Sequence, residues 1–192
     1  TRAMAVANWF LERSWRSPEK PACDQMKLYK LVFYAHGWYM GNCKSELFPE
    51  DVEAWPHGPV VRDLYVEFND AGRNAISRLG RRMEIKDGKV SMIEPRHDGS
   101  QDKFFESVWN VYGDYTGIQL SNMTHRPGEA WTVVAEQYGY DLRQKPTITS
   151  EIIEQFMHHQ PAISAVLDGQ TGGQLKPTEI RDASSGKILR HS

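Results

Sequence analysis

Apolar residues recur at helical spacing along most of the chain, and one segment carries the pattern most densely. In "MKLYKLVFYAHGWYM", Leu28, Leu31, Val32, Ala35, Trp38 and Tyr39 fall at i, i+3, i+4, i+7, i+10 and i+11. A second row, Tyr29, Phe33, His36 and Met40, climbs another side. A helix apolar nearly all round is central and buried. The spacing predicts such a helix over residues 24–41, with Asp24 as N-cap and Gly41-Asn42 as its end. Val6, Trp9 and Phe10 give a short helix before it, closed by Pro18 and Pro21. Phe105, Val108, Trp109, Tyr112 and Tyr115 give a helix over 102–115. "LSNMTHRPGEAWTVVAEQYG" gives two shorter pieces broken around Pro127-Gly128, and Ile148 to Met157 gives the last helix.

Two stretches break the helical period. "MEIKDGKVSMI" reads as a hairpin turning at Asp87-Gly88. Ile85 then faces Val90 and Met83 faces Met92, all four on one side. "ELFPEDVEAW" reads as extended or loop. In the next stretch, "PHGPVVRDLY", Pro59 suits a first helical turn. Val61, Leu64, Tyr65 and Phe68 then continue at helical spacing, so the stretch is expected to be a helix entrance running to about Gly72. The fold class is therefore mainly α (α+β): about six helices around a central helix (24–41), with a small antiparallel hairpin (83–93). Residues 1–159 form the domain. From Gln160 the chain turns polar and glycine-rich and reads as a C-terminal tail, 160–192.

Composition narrows the function classes. The chain has 192 residues, 40% hydrophobic and 25% charged, with a formal net charge of -2. A core can form, and no field of one sign exists to bind nucleic acid as the main partner. Arg73, Arg78, Arg81 and Arg82 cluster but lack interleaved aromatics, and read as a solvated turn. Cys23 and Cys43 belong to no CxxC pair, so free thiols in a reducing cytoplasm are expected. No secretory signal or membrane-spanning stretch appears.

Catalytic patterns are sparse. There is no HExxH, no GxSxG and no phosphate loop. His158 and His159 are adjacent, so on a helix they point about 100° apart. A Ser121–His125 pair at i and i+4 lacks a fixed acidic orienter. His36, His57 and His125 could converge on a metal, which leaves a small metal-dependent hydrolase as the rival reading.

Three stretches carry a family resemblance: "MKLYKLVFYAHGWYM", "LFPEDVEAWPHGPVVRDLY" and "LSNMTHRPGEAW". They resemble the Panacea domain family, the SocA-like antitoxins of bacteria and their phages. The matching residues are Met26-Lys27-Leu28, Lys30-Leu31 and Gly37-Trp38, then Glu53-Ala54-Trp55 and Gly58-Pro59-Val60, then Leu120-Ser121, Thr124-His125 and Trp131. The opening "VANWFL" is also similar, and the likeness covers roughly residues 3–157. Tyr29 and His36 stand where the family has glutamines, and Ala130 where it has proline. The resemblance implies a non-enzymatic protein that neutralises a cognate protein toxin by binding it, and no cofactor or metal is expected. In some members it implies delivery of the toxin to a protease.

Exchange of Gln for Tyr or His is absorbed more easily by a partner surface than by a core. Tyr29, Phe33 and His36 are therefore expected to be partly exposed, forming one contact patch with Trp55 and His57. The alternative is that this row packs beneath Ile85 and Val90 of the hairpin. Trp38, Trp55, Leu64 and Trp109 are expected in the core.

Overall fold

A computed structural model describes residues 1–157. Among the described residues, seven helices surround one apolar core, with two small antiparallel sheets at its border. The helices are α1 (Ala3–Trp15), α2 (Gln25–Cys43), α3 (Arg62–Phe68), α4 (Asp102–Tyr112), α5 (Gly117–Thr124), α6 (Ala130–Gln137) and α7 (Ser150–Met157). One hairpin joins β1 (Val52–Trp55) to β2 (Gly58–Val61), and the other joins β3 (Arg82–Lys86) to β4 (Lys89–Ile93).

Helix α2 is the hub, as its all-round apolar pattern requires. It packs against α1, α3, α4, α5, α7 and β2. Asp24 caps it, its side chain accepting from Lys27 N at 2.7 Å. The helix ends at Lys44, which takes the left-handed conformation at φ 53°. Gly117 at the start of α5 lets the two helices meet: a Cβ there would lie 2.7 Å from Asp24 Oδ1 and from Lys27 N. Aromatic rings fill the space around the hub. Tyr34 stacks on Tyr112 at 4.1 Å, and Phe10 meets Phe105 edge-on at 6.0 Å.

Two expectations for the second row of α2 are overturned. Tyr29, Phe33 and His36 are 6%, 3% and 3% exposed, so they are core residues and form no surface patch. The hairpin does not cover them either, because its apolar face points to solvent. The row is covered instead by segments C-terminal to α2. Tyr29 Oη reaches Leu64 O at 3.5 Å, and the His36 ring packs on Phe48 at 4.1 Å.

A third correction concerns residues 52–61. They form a β-hairpin, and Pro59 sits in β2 opposite Ala54 instead of opening a helix. Helix α3 begins only at Arg62, and a short 3₁₀ turn, Asn69–Ala71, carries the chain to Gly72. Residues 146–148 extend this sheet on the β1 side, where Ala54 N donates to Pro146 O and Ile148 N to Val52 O. Proline in β2 is tolerated because β2 is an edge strand.

Trp38, Leu64 and Trp109 are buried as expected, whereas Trp55 is only partly so. The arginine cluster is largely neutralised: Arg78 pairs with Glu67 and Asp70, and Arg82 with Glu84. The boundary at 159/160, the tail and His158-His159 lie outside the described residues.

Candidate functional site: a turn held by its carbonyl oxygens

The β1–β2 turn gathers the three family-like stretches in one place. Its backbone carbonyls point toward the protein, and side chains from other elements take them up. Trp131 Nε1 of α6 donates to Trp55 O at 2.8 Å. Ser121 Oγ of α5 donates to His57 O at 2.9 Å. Lys30 Nζ of α2 donates to Pro59 O at 3.0 Å. A fourth carbonyl, Pro56 O, lies 3.3 Å from His125 Nε2. An unpaired backbone carbonyl inside a protein is costly. Here four carbonyls between Trp55 and Pro59 each meet a side chain 29 to 76 positions away.

The local sequence makes this possible. Gly58 adopts φ +102°, a region that L side chains rarely occupy. A Cβ there would lie 2.6 Å from Lys30 Cε and 2.8 Å from Thr124 Oγ1. The glycine thus allows both the turn and the close approach of the lysine. Lys30 is fully buried, with no carboxylate near enough to offset the loss of water, and burial lowers its ammonium to about 7. Lys27, one turn earlier, does a similar task elsewhere. Its Nζ donates to Pro21 O at 2.6 Å and Gly113 O at 2.7 Å, tying the segment before α2 to the one after α4.

What the turn presents outward is Pro56 and His57, both exposed, with Trp55 half-buried beside them. The Trp55 ring is fixed on several sides. Its Nε1 donates to Glu53 Oε2 at 2.7 Å, Tyr65 lies 4.6 Å away, and Lys145 Nζ stands 3.6 Å above the ring centre. Such a cation on an indole face stabilises both partners.

None of these groups is arranged as a nucleophile with its base. Ser121 Oγ is engaged by His57 O, and His125 Nδ1 faces the Ser121 carbonyl at 2.6 Å, not its hydroxyl. Both ring nitrogens face carbonyl oxygens, which only accept, so a neutral ring donates to one of them at a time, Ser121 O or Pro56 O. The His125 ring also packs on Trp131 at 3.8 Å. His57 and His125 thus come to the same turn, while His36 is held against Phe48. Among the described residues no group of three His, Cys, Asp or Glu side chains is placed to hold a metal ion. Cys23 is buried, which pushes its thiol up to about 12, and Cys43 is exposed; both are free.

Of the five expected contact residues, the turn brings together Trp55 and His57 and leaves out Tyr29, Phe33 and His36. Sequence reasoning names Lys30, Ser121, His125 and Trp131 within the family-like stretches but misses that they hold the turn. The available signal is two lysines, Lys27 and Lys30, on a helix otherwise apolar all round. A lysine is almost never fully buried without a partner to receive its protons.

Among the described residues no helix is long and apolar enough to cross a membrane. No solved structure matches the chain. A curated protein named Antitoxin SocA, from Caulobacter vibrioides, is 27% identical over 167 residues, covering 87% of this chain and 88% of that one. The family described as "Antitoxin SocA-like, Panacea domain" matches residues 28–132, more than half the chain and the span that holds the turn and all four side chains gripping it. The chain belongs to the SocA-like Panacea domain family.

Proposed function

We propose that this protein is the antitoxin of a toxin–antitoxin pair and neutralises its cognate protein toxin in the cytoplasm by binding it directly. The observation that carries the reading is the end-to-end similarity to an antitoxin, nearly the whole of one chain against nearly the whole of the other. The held turn supports a role in binding over a role in catalysis. Its polar side chains are used to fix backbone, and its outward residues, Trp55 and His57, are shaped for contact. Rigid aromatic residues give contact area at small entropic cost, which suits a binding surface. Trp55 and His57 are the proposed contact residues of this turn.

Co-expression with the product of the neighbouring gene tests the reading. That product alone should arrest growth, and this protein should restore it while the toxin level stays constant. A harmless neighbour, or arrest that persists at equal expression, sinks the proposal. Rescue that instead requires a protease and depletes the toxin would replace direct neutralisation by delivery for degradation. His57→Ala should weaken rescue without changing melting temperature, because the ring is exposed and only its carbonyl is engaged.

A further inference from the structure

A cavity of about 250 Å³ opens where the C-terminal half of α2, the segment leading into β1 and the start of α7 meet. Its floor is made by His36, Val52, Ile148 and Ile153, all buried. Its rim carries the carboxylates of Glu46, Asp51 and Glu151, all on exposed residues. The walls are tied to each other across the cavity. Ile148 N donates to Val52 O at 2.8 Å, and Ser150 Oγ donates to Glu46 Oε1 at 2.6 Å. The cavity is therefore a fixed part of the fold and lies apart from the β1–β2 turn.

The floor holds a polar atom that the chain does not satisfy. His36 is 3% exposed, and its Nδ1 is buried with no hydrogen-bond partner among the described residues. Most buried polar atoms in proteins are paired, because leaving one unpaired is costly. The ring packs on Phe48, which supplies no hydrogen bond. Burial lowers the imidazole to about 4, so near pH 7 the ring is neutral and carries one proton. With that proton on Nε2, Nδ1 is an acceptor facing no donor.

The rim is acidic and uncompensated. Glu46, Asp51 and Glu151 form no ion pair among the described residues, whereas Glu50, which also lines the cavity, pairs with Arg2 at 3.5 Å. Carboxylates gathered over a low-dielectric floor draw cations. A bare metal ion does not fit, since among the described residues no three such groups are close enough to hold one. The cation must be extended enough to reach carboxylates that stand apart. It must also fit a cavity smaller than the roughly 300–1,000 Å³ of drug-sized ligand sites. It needs a donor for a neutral nitrogen and an apolar portion for Val52, Ile148 and Ile153. A guanidinium on an aliphatic stem meets each demand. Its planar head has five donors and is weakly hydrated, and its stem is apolar. An ammonium has three donors and is held more strongly by water.

We propose that the cavity between α2, the segment before β1 and α7 is a binding site for a guanidinium on an aliphatic stem, which donates to the rim carboxylates of Glu46, Asp51 and Glu151 and to Nδ1 of His36. The guanidinium belongs either to a free solute or to an arginine side chain of a protein partner. The site does not depend on the antitoxin reading.

Calorimetric titration of the full chain with N-acetyl-arginine methylamide tests the site by itself. Heat of binding is expected, with the lysine analogue weaker and the uncharged citrulline analogue silent. Asp51→Asn combined with Glu151→Gln should weaken binding about tenfold, the loss expected for two charged acceptors at an exposed rim. The pair should keep the wild-type melting temperature, since both residues are exposed and neither forms an ion pair. Asp98→Asn, an exposed acid outside the cavity, should bind like wild type. No heat with the arginine compound, equal heats with the citrulline compound, or unchanged affinity in the double variant would overturn the site. A second arm identifies the source of the guanidinium. Displacement of the purified neighbouring-gene toxin by the arginine compound assigns the site to a toxin arginine. Binding of the compound without displacement assigns it to a free solute. A toxin that this protein does not bind at all would remove the antitoxin reading and leave the first arm standing.

Discussion

His36 shows how much one position depends on what closes over it. Its spacing on α2 is compatible with core or surface, and the packing of later segments, Phe48 among them, makes it core. Burial lowers the imidazole from 6.5 to about 4, against a smaller opposing pull from Glu46. An unfolded chain takes up a proton near 6.5, and the folded one refuses it until about 4. Between those values the unfolded state binds more protons, so stability falls as the pH drops from 6.5 to 4. His36→Gln does not titrate. Wild type should lose roughly 2–3 kcal/mol more than this variant between about pH 7 and about pH 4. Urea denaturation at the two pH values measures the difference, and equal losses would place the imidazole in contact with water. Sequence alone points His36 to a partner surface, because exchange there for glutamine looks like an interface trait. The same exchange is as easily absorbed in a core where the ring can rest on another ring and give up its charge.

At the scale of elements, the long periodic segments are legible in the sequence and the short strands are not. Helix α2 announces itself because its two apolar rows run nearly its whole length, and the Asp24 cap acts at the expected place. The β3–β4 register also follows from Asp87-Gly88 alone. What the sequence does not contain is that the apolar side of that hairpin is left to solvent, its base being tied down by Asn8, 72 positions before Gly80. The β1–β2 hairpin is hidden for a related reason. Pro59 fits a first helical turn as well as an edge strand, and the choice is made by Lys30, Ser121 and Trp131 from outside the segment. Two glycines separate local strain from this long-range fit. Gly58 has φ +102° with Lys30 Cε in the way, whereas Gly88 has φ +72° with no neighbour within 4 Å of an added Cβ. Gly88→Ala should cost about 1–2 kcal/mol, the strain of a left-handed alanine. Gly58→Ala should cost about 3 kcal/mol or more, because strain and overpacking add. Equal losses in denaturant midpoint would show that the turn yields easily and is not held by its carbonyls.

For the whole molecule, the hub arrangement means that the lysines of α2 report on global stability. Lys27 and Lys30 sit where several elements meet, and burial lowers both ammonium groups. Lys30 falls from 10.5 to about 7 with no compensating carboxylate. Above pH 7 the folded protein releases this proton while the unfolded chain keeps it, so the unfolded state binds more protons and stability rises with pH. Lys27 acts in the same sense. The rise is bounded from above by Cys23, whose thiol is pushed from 9.0 up to about 12. Beyond pH 9 the unfolded thiol ionises and the folded one does not, which favours unfolding. The window for Lys30 is therefore pH 7 to 9, clear of the His36 window below 6.5. Across it, wild type should gain about 2 kcal/mol from this group. Lys30→Met keeps the length and apolar stem of the side chain, removes the charge, and leaves Pro59 O without its donor. Its stability should lack that rise. At about pH 9, where the wild-type amine is neutral and still bonded to Pro59 O, the variant should be the weaker protein by about 1–3 kcal/mol, the cost of one unpaired buried carbonyl. At about pH 6, where the wild type carries a buried charge, the gap should narrow or reverse. Denaturant midpoints of both proteins at about pH 6, 7, 8 and 9 give the comparison, and parallel curves would mean that the ammonium keeps its water and that the turn is not anchored on a buried amine.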